Sequence, residues 1–156
     1  MKITKRIAAF LIIIALLMPL TSALCVTYYR VNTSWLKARS EPSFNARVLD
    51  SYRRDFAVTI DKNLSGGWAK VRFRPSGRQA YVQKQYLTAC KRYTAYVTDS
   101  KTNLRSGPAT SFSSKGQLKK GTKVTVLTHG SAFDYVSTPK GKGYIRNSYL
   151  STKKPK

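Results

Sequence analysis

The hexapeptide Asn103-Leu104-Arg105-Ser106-Gly107-Pro108 has a counterpart 66 residues earlier in the chain, Lys37-Ala38-Arg39-Ser40-Glu41-Pro42. Both contain an apolar residue followed by Arg, Ser, a variable residue and Pro. Further matches follow in the same order, beginning with Val58-Thr59-Ile60 and Val124-Thr125-Val126, and their spacing shrinks only from 66 to 63. These ordered matches predict two copies of one unit of about 60 residues, joined at Lys91-Arg92.

Each copy has the pattern of short β-strands. Residues 56–60 and 123–127 are rich in β-branched side chains, and residues 68–74 alternate apolar and basic with a period of two. Gly66-Gly67 and Lys120-Gly121 are typical of tight turns between strands. Since a unit of this size must curl on itself to bury a core, we predict two small all-β barrels.

Residues 1–23 have the three-part order of a secretory signal peptide. A positive segment (1–6) precedes an apolar run (7–20), and Thr21 and Ala23 are small residues where a signal peptidase needs them. The run is short for a bilayer-spanning helix. An uncleaved anchor is the alternative, and it would also place the rest of the chain outside the cytoplasm. We therefore expect an exported protein (periplasmic, cell-wall associated or secreted), which meets the membrane only through an uncleaved leader.

The composition is strongly basic. The chain has 29 Lys and Arg against 6 Asp and Glu, a net charge of +23, and +20 after the first 24 residues. One histidine (His129), two cysteines and scattered carboxylates argue against hydrolytic triads, structural zinc and two-carboxylate glycosidase sites. A hydrophobic fraction of 42% indicates a folded chain despite the charge. We expect no enzymatic activity, no cofactor and no metal site.

The second copy resembles a bacterial SH3-like domain. The resemblance is carried by residues 102–108 and 116–126, by Gly143-Tyr144-Ile145 and by Ser148-Tyr149-Leu150. The first copy departs from the pattern, since Glu41 and Asp55 replace two expected glycines. The resemblance implies an all-β fold of two consecutive SH3-like barrels after the signal peptide. The predicted boundaries are 1–23 for the signal peptide, 26–90 and 93–152 for the two repeats, and 153–156 for a basic tail.

The resemblance also implies a role for the two cysteines. In such a barrel the first and last strands are neighbours; Cys25 precedes the first strand of repeat one and Cys90 follows its last strand. A disulfide between them would fasten the barrel ends and contribute about 4 kcal/mol in the chain-entropy model. Export favours such a pair. Alternatively, Cys25 leaves with the leader and Cys90 remains a lone thiol.

Aromatic residues at matched positions of the two repeats are expected to have structural roles. Trp68 and Phe133, and likewise Tyr81 and Tyr144, are predicted to lie in the core or at the barrel lip. Tyr86 and Tyr149 are predicted to pack against the barrel end.

The candidate ligand-binding residues combine cations with aromatic rings. Trp35 and Tyr52 are chosen because repeat two has no counterpart of either, and Lys70, Arg72 and Arg74 because they are expected to form an outward stripe spaced about 7 Å apart. The full set is Trp35, Tyr52, Arg53, Arg54, Lys70, Arg72, Arg74, Arg78, Lys119, Lys120, Lys140 and Lys142. For any single cation of this set, the alternative is an ordinary solvated surface residue. Arg39 and Arg105 could also contact a ligand, but an arginine in a repeated Arg-Ser-x-Pro motif more often holds a structural loop.

The resemblance implies a targeting or interaction module, and several domains of this kind recognise peptidoglycan. A wall polymer offers sugar faces to aromatic rings and carboxylates or phosphates to Lys and Arg. We predict an exported, non-catalytic monomer that binds an anionic cell-envelope polymer, with peptidoglycan the first candidate. The alternative is an interaction or inhibitor protein that docks on an acidic protein partner. Charge alone permits nucleic-acid binding, which export disfavours.

Overall fold

The computed structural model describes residues 26–156, and within that range the chain is built from β-strands and two 3-10 turns. The elements of the first half are β1 (Tyr28–Val31), β2 (Trp35–Arg39), β3 (Val48–Arg53), β4 (Ala57–Asn63), β5 (Trp68–Phe73), β6 (Gln79–Gln83), a 3-10 turn (Lys84–Tyr86) and β7 (Leu87–Cys90). Those of the second half are β8 (Tyr93–Val97), β9 (Thr102–Arg105), β10 (Ser114–Leu118), β11 (Lys123–Thr128), β12 (Phe133–Thr138), β13 (Gly141–Arg146), a 3-10 turn (Asn147–Tyr149) and β14 (Leu150–Ser151).

The strands form two antiparallel sheets with equivalent topology. The first has the order β3-β2-β6-β5-β4-β1-β7 and the second β10-β9-β13-β12-β11-β8-β14, so each strand of the second sheet matches the strand seven places earlier. All seven strands of the first sheet contribute to one apolar core, which shows that the sheet curls around it. The prediction of an all-β chain with two consecutive small β units is confirmed. The predicted domain boundaries stay predictions.

The period-two pattern of residues 68–74 corresponds to β5. Val71 and Phe73 are fully buried, whereas Lys70 and Arg72 are partly exposed. β5 ends at Phe73, and the amide of Arg74 still donates to the carbonyl oxygen of Ala57 at the start of β4. The outward stripe of three cations stays a prediction.

The arginine of each Arg-Ser-x-Pro motif holds the loop that follows it. The Arg39 guanidinium donates to the carbonyl oxygen of Ala46 at 2.7 Å. The Arg105 guanidinium donates to the carbonyl oxygens of Thr110 and Phe112 at 2.9 and 2.8 Å. The structure thus gives both arginines the loop-clasp role.

The two repeats pack against each other through a cluster of buried side chains from both. Its members are Tyr28, Ala57, Leu127, Phe133, Tyr135 and Tyr144. Tyr144 is fully buried there, and its hydroxyl accepts from the amide of Ala57 at 2.7 Å and donates to the carbonyl oxygen of Arg74 at 3.0 Å. A side chain of repeat two therefore satisfies two backbone groups of repeat one. Burial raises the pKa of Tyr144 well above its usual value, so its hydroxyl stays protonated and able to donate.

Asp55 makes a second link across this interface. Its backbone has a φ of 71°, close to the 80° of Gly121 at the matched position, and a left-handed conformation favours Gly or a short polar residue. The carboxylate accepts from the amide and hydroxyl of Ser131 at 2.8 and 2.5 Å and pairs with Arg30 at 2.9 Å. The departure from glycine at this position is explained by a bond to the other repeat.

The second departure, Glu41, also has a packing reason. At the matched position, Gly107, a Cβ atom would lie 2.5 Å from ring atoms of Phe112, so only glycine leaves room for that ring. Repeat one has Ala46 at the position of Phe112, and Glu41 is exposed. The loop of repeat two therefore combines a large ring, Phe112, with a glycine beside it, whereas repeat one combines a small residue, Ala46, with Glu41.

Among residues 26–156 no disulfide occurs, and the predicted partner of Cys90, Cys25, lies outside this range. Cys90 is half-buried and pairs with Tyr28 across β7 and β1, so the start and end of repeat one do lie side by side. Burial raises the pKa of the Cys90 thiol, although backbone groups of His129 and Arg30 act in the opposite direction. The Cys25–Cys90 bond stays a prediction.

Several predicted structural aromatics take different positions in the two repeats. Tyr149 is half-buried and packs against the core of the second sheet, as predicted. Tyr86 is 40% exposed, and its packing against the barrel end stays a prediction. Helices long and apolar enough to cross a membrane are absent from the described part of the chain.

Replacing Tyr144 with Phe should lower the free energy of unfolding by about 1–3 kcal/mol, because the buried amide of Ala57 loses its acceptor. The matched control is Tyr81→Phe, since Tyr81 makes no side-chain hydrogen bond to any of residues 26–156 and should tolerate the change. Urea denaturation of both variants tests this, and equal losses would contradict the interface described above.

Replacing Gly107 with Ala should destabilise the protein by about 1–3 kcal/mol, because the new methyl group and the Phe112 ring cannot occupy the same space. The matched substitution in repeat one, Glu41→Ala, should change stability by less than about 0.5 kcal/mol. Thermal unfolding gives the energies, and displaced ring signals of Phe112 in NMR spectra identify the cause. An unshifted Phe112 ring would refute this explanation.

Candidate functional site

A cleft of about 650 Å³ opens between the two repeats and is lined by residues of both. We call it the inter-repeat cleft. Repeat one lines it with the start of β2, with β3, with the residue before β4 and with the turn after β5. Repeat two lines it with the loop held by Arg105 and with β10. Its lining residues are Trp35, Asp50, Ser51, Tyr52, Arg53, Phe56, Arg74, Pro75, Ser76, Arg78, Ser106, Ser111, Phe112 and Lys115.

Aromatic rings from both repeats form the apolar part of this cleft. Tyr52 stacks on Phe73 with ring centroids 3.5 Å apart and meets the edge of Phe56 at 5.1 Å. Phe56 in turn contacts Phe112 of repeat two at 5.6 Å. Burial, and secondarily the nearby Asp50, raise the pKa of Tyr52, so its hydroxyl is neutral at physiological pH. These rings offer a fixed apolar surface rather than a titrating group.

Trp35 stands at the edge of the cleft. Its side chain is 59% exposed, and the guanidinium carbon of Arg53 lies 5.3 Å from the ring centroid. A guanidinium over an indole ring is a favourable cation–π arrangement. The pair therefore presents an exposed aromatic surface with a cation held beside it.

The charged residues of the cleft are four cations, Arg53, Arg74, Arg78 and Lys115, and one carboxylate, Asp50. Arg78 and Asp50 lie 3.0 Å apart, but both are substantially exposed, so this ion pair holds the arginine weakly. The Lys115 ammonium donates to the carbonyl oxygen of Lys142 at 2.6 Å. The rim is net positive and suits an anionic group.

Arg74 is the most enclosed of these cations. One of its terminal nitrogens donates to the hydroxyl of Thr59 at 3.1 Å. Its Nε is buried and finds no hydrogen-bond partner within residues 26–156. Unpartnered buried donors are costly, so this nitrogen would gain from a hydrogen-bond acceptor supplied by a ligand.

The structure brings together five of the twelve candidate ligand-binding residues. Trp35, Tyr52, Arg53, Arg74 and Arg78 all line the inter-repeat cleft. None of the five has the same residue at its matched position in repeat two. This difference between the repeats is the reason why Trp35 and Tyr52 were predicted to bind ligand.

The remaining candidates lie elsewhere on the surface. Arg72 pairs with Asp61 at 3.0 Å, Lys140 donates to the carbonyl oxygen of Gln117, and Lys142 donates to the hydroxyl of Tyr28 across the interface. The others line no part of the cleft: Arg54, Lys70, Lys119 and Lys120.

Phe56, Phe112 and Lys115 belong to the cleft but were not predicted to bind ligand. Phe56 begins a β-branched run and resembles an ordinary core residue. Phe112 is an apolar residue in a Ser-rich loop (residues 110–114), and this exposed context is a signal that could have identified it.

The side chain of the single histidine, His129, lies against a buried carboxylate. The Nδ1 atom of His129 lies 3.0 Å from the carboxylate of buried Asp134, which also accepts from the Tyr93 hydroxyl at 3.3 Å. Burial and Asp134 raise the pKa of Tyr93 to about 12. Because burial also raises the pKa of Cys90, its thiol is not activated as a nucleophile. Within the described residues, no group of three or more His, Cys, Asp or Glu could hold a metal ion.

Comparison with solved structures gives partial likenesses. NlpC1 and NlpC2 from Trichomonas vaginalis have TM-scores of 0.38 and 0.37, each at 22% identity, over 85% and 82% of this chain and 48% of theirs. An NlpC/P60 family protein from Bacillus cereus has a TM-score of 0.34 at 14% identity, over 80% of this chain and 55% of its own. Likenesses at this level support no conclusion about activity.

Comparison of sequences is more specific. "Probable endopeptidase p60" from Listeria grayi is 30% identical over 73 residues, which are 47% of this chain and only 14% of that protein. The family described as "Bacterial SH3 domain" matches residues 100–151, from just before β9 to the end of β14. The chain therefore contains a bacterial SH3 domain at residues 100–151.

Proposed function

We propose that this protein is an exported, non-catalytic module that binds an anionic polymer of the cell envelope, with peptidoglycan as its target. The observation that carries the proposal is the inter-repeat cleft, which combines the exposed ring of Trp35 and the half-buried rings of Phe56 and Phe112 with four cations. Its volume lies within the range of about 300–1,000 Å³ typical of ligand sites. A wall polymer presents both of the matching chemistries, since its sugar rings have apolar faces and its peptides carry carboxylates.

In this proposal the aromatic and basic residues divide the recognition between them. Tyr52, Phe56 and Phe112 form the surface on which an apolar face can stack. Arg53, Arg78 and Lys115 stand at the rim and can pair with carboxylates, for which a guanidinium is geometrically suited. Arg74 offers a further buried donor. Because both repeats line the cleft, we propose that they bind as one site and not as two independent modules.

The cleft can be separated from the protein's general charge by a matched pair of double variants. Arg53→Ala with Lys115→Ala should weaken retention on purified peptidoglycan by about tenfold, because two charge-assisted contacts are lost. Lys119→Ala with Lys120→Ala removes the same charge from an exposed turn outside the cleft, and retention should stay within about twofold. Co-sedimentation of the exported chain measures both.

The assay is run before and after attached anionic polymers are stripped from the wall, and across a salt series. At about 0.5 M salt the Debye length is only about 4 Å, so retention on stripped wall there supports site-specific recognition. Loss of binding on stripping, or equal effects of the two double variants, would overturn the proposal and indicate a generic polycation. Crosslinking would then test for an acidic protein partner with defined stoichiometry.

We also propose that residues 1–23 are a signal peptide and that Cys25 and Cys90 form a disulfide after export. The pairing of Cys90 with Tyr28 supports the bond, because it brings the end of repeat one beside its start. The exported protein, unfolded without reductant, should then contain no thiol that reacts with Ellman's reagent. Two free thiols, or a mature chain without Cys25, would refute it.

A further inference from the structure

The two repeats carry equivalent surface grooves with different linings. The groove on repeat one has a volume of about 270 Å³ and that on repeat two about 130 Å³. Each is bounded by the clasp arginine of its repeat, Arg39 or Arg105, and by the tyrosine of its 3-10 turn, Tyr86 or Tyr149. The other lining positions of the smaller groove also match those of the larger, at the 66 to 63 residue spacing of the repeat.

The groove on repeat one is rich in aromatic side chains. Trp35, Phe44, Trp68 and Tyr86 line it, and we call it the aromatic groove. Trp35 and Phe44 are 59% and 67% exposed, which is unusual for rings of this size. Phe44 is held in place by Trp68, with ring centroids 5.1 Å apart.

The groove on repeat two shows that the fold does not require these exposed rings. Lys101 stands at the position of Trp35, and Thr110 at that of Phe44. The two less exposed positions keep aromatic residues, as Phe133 and Tyr149. Since the same topology forms with Lys and Thr at these sites, the exposed rings of repeat one need an explanation outside the fold, and a contiguous exposed apolar patch is typical of a binding surface.

The chemistry of the aromatic groove favours an uncharged ring as its occupant. Its lining contains no carboxylate, so a cationic ligand would find no partner there. Of its two cations, Arg39 is committed to the Ala46 carbonyl oxygen, which leaves only Lys37 for an anion. Aromatic faces with a few polar groups, such as Gln83, suit a pyranose ring, which has apolar faces and hydroxyl groups at its edge.

We infer that the aromatic groove of repeat one binds sugar rings of a glycan chain, and that the equivalent groove of repeat two does not. This inference rests on the proposed function and adds a second subsite to it. Trp35 lines both the aromatic groove and the inter-repeat cleft, so one polymer chain can extend across this residue. The cleft then engages the anionic groups of the polymer and the groove its uncharged rings.

The test uses the tetramer of N-acetylglucosamine, a neutral sugar that isolates the groove from the basic cleft. Both tryptophans of the protein, Trp35 and Trp68, line the groove, so intrinsic fluorescence responds to its occupancy. Because Trp35 also lines the cleft, a loss of affinity in the Phe44 variant assigns the response to the groove. We expect saturable quenching or enhancement on titration of the exported chain. Phe44→Ala should weaken the affinity by about five- to tenfold, as expected for loss of one stacked ring. Because Phe44 is largely exposed, the variant should keep its fold, which circular dichroism verifies.

Two control variants identify the site. Thr110→Ala changes the matched position of repeat two, and Lys119→Ala changes an exposed residue outside both the groove and the cleft. Both should leave tetramer affinity within about twofold. No fluorescence response to the tetramer, or equal losses in Phe44→Ala and Thr110→Ala, would overturn the inference. In that case the proposed function would still be supported if the protein is retained on stripped wall and the double variant of Arg53 and Lys115 weakens this retention. Tetramer binding without wall retention would refute the proposed function and keep the groove as a sugar site.

Discussion

The buried hydroxyl of Tyr144 is the interaction on which the arrangement of this protein depends. It accepts from Ala57 and donates to the Arg74 carbonyl oxygen, so a side chain of the second repeat completes the backbone hydrogen bonding of the first. Polar groups removed from water require such partners. Separation of the repeats would leave these groups to water and expose the surrounding aromatic cluster, so the two sheets form one body. Together with the bond between Asp55 and Ser131, this contact holds the two walls of the inter-repeat cleft in place.

The two repeats have the same topology, but residues at matched positions have different roles in them. Tyr144 lies in the interface, while Tyr81 at the same position of repeat one is only half-buried. Gly107 makes room for the Phe112 ring, which closes the cleft, whereas Glu41 and Ala46 leave that corner without a ring. The two sheets share one strand order and differ at a few matched positions, of which Gly107 and Tyr144 are buried. These differences, and not the shared core, concentrate the aromatic residues at the cleft and at the aromatic groove of repeat one.

Local patterns in the sequence were sufficient to predict the repeat, its strands and its turns, because alternation, β-branched runs and glycines act over a few residues. The clasp role of Arg39 and Arg105 was also accessible from the repeated motif. The cleft was only partly predictable. Trp35 and Tyr52 were identified because repeat two lacks them, but Phe56 and Phe112 were not, since each resembles a core or loop residue within its own repeat. How the repeats dock depends on contacts between residues that lie from 56 (Phe56 and Phe112) to 114 (Tyr28 and Lys142) positions apart, which no local pattern encodes.

The departures of repeat one from the family pattern follow from the same docking constraint. A glycine at position 55 would adopt the required backbone conformation without strain, as Gly121 does. Asp55 adopts it at some cost, but its carboxylate bonds Ser131 of the other repeat and Arg30 of its own. Aspartate at this position therefore adds backbone strain but also adds a hydrogen bond between the two repeats. Such a connection favours a single shared site over two loosely tethered ones, because the cations of the cleft then act on one ligand segment from fixed positions. The high charge of the chain would not by itself make binding selective, because mobile cations attract any polyanion equally. Cations held at fixed positions beside aromatic rings can distinguish one polymer from another.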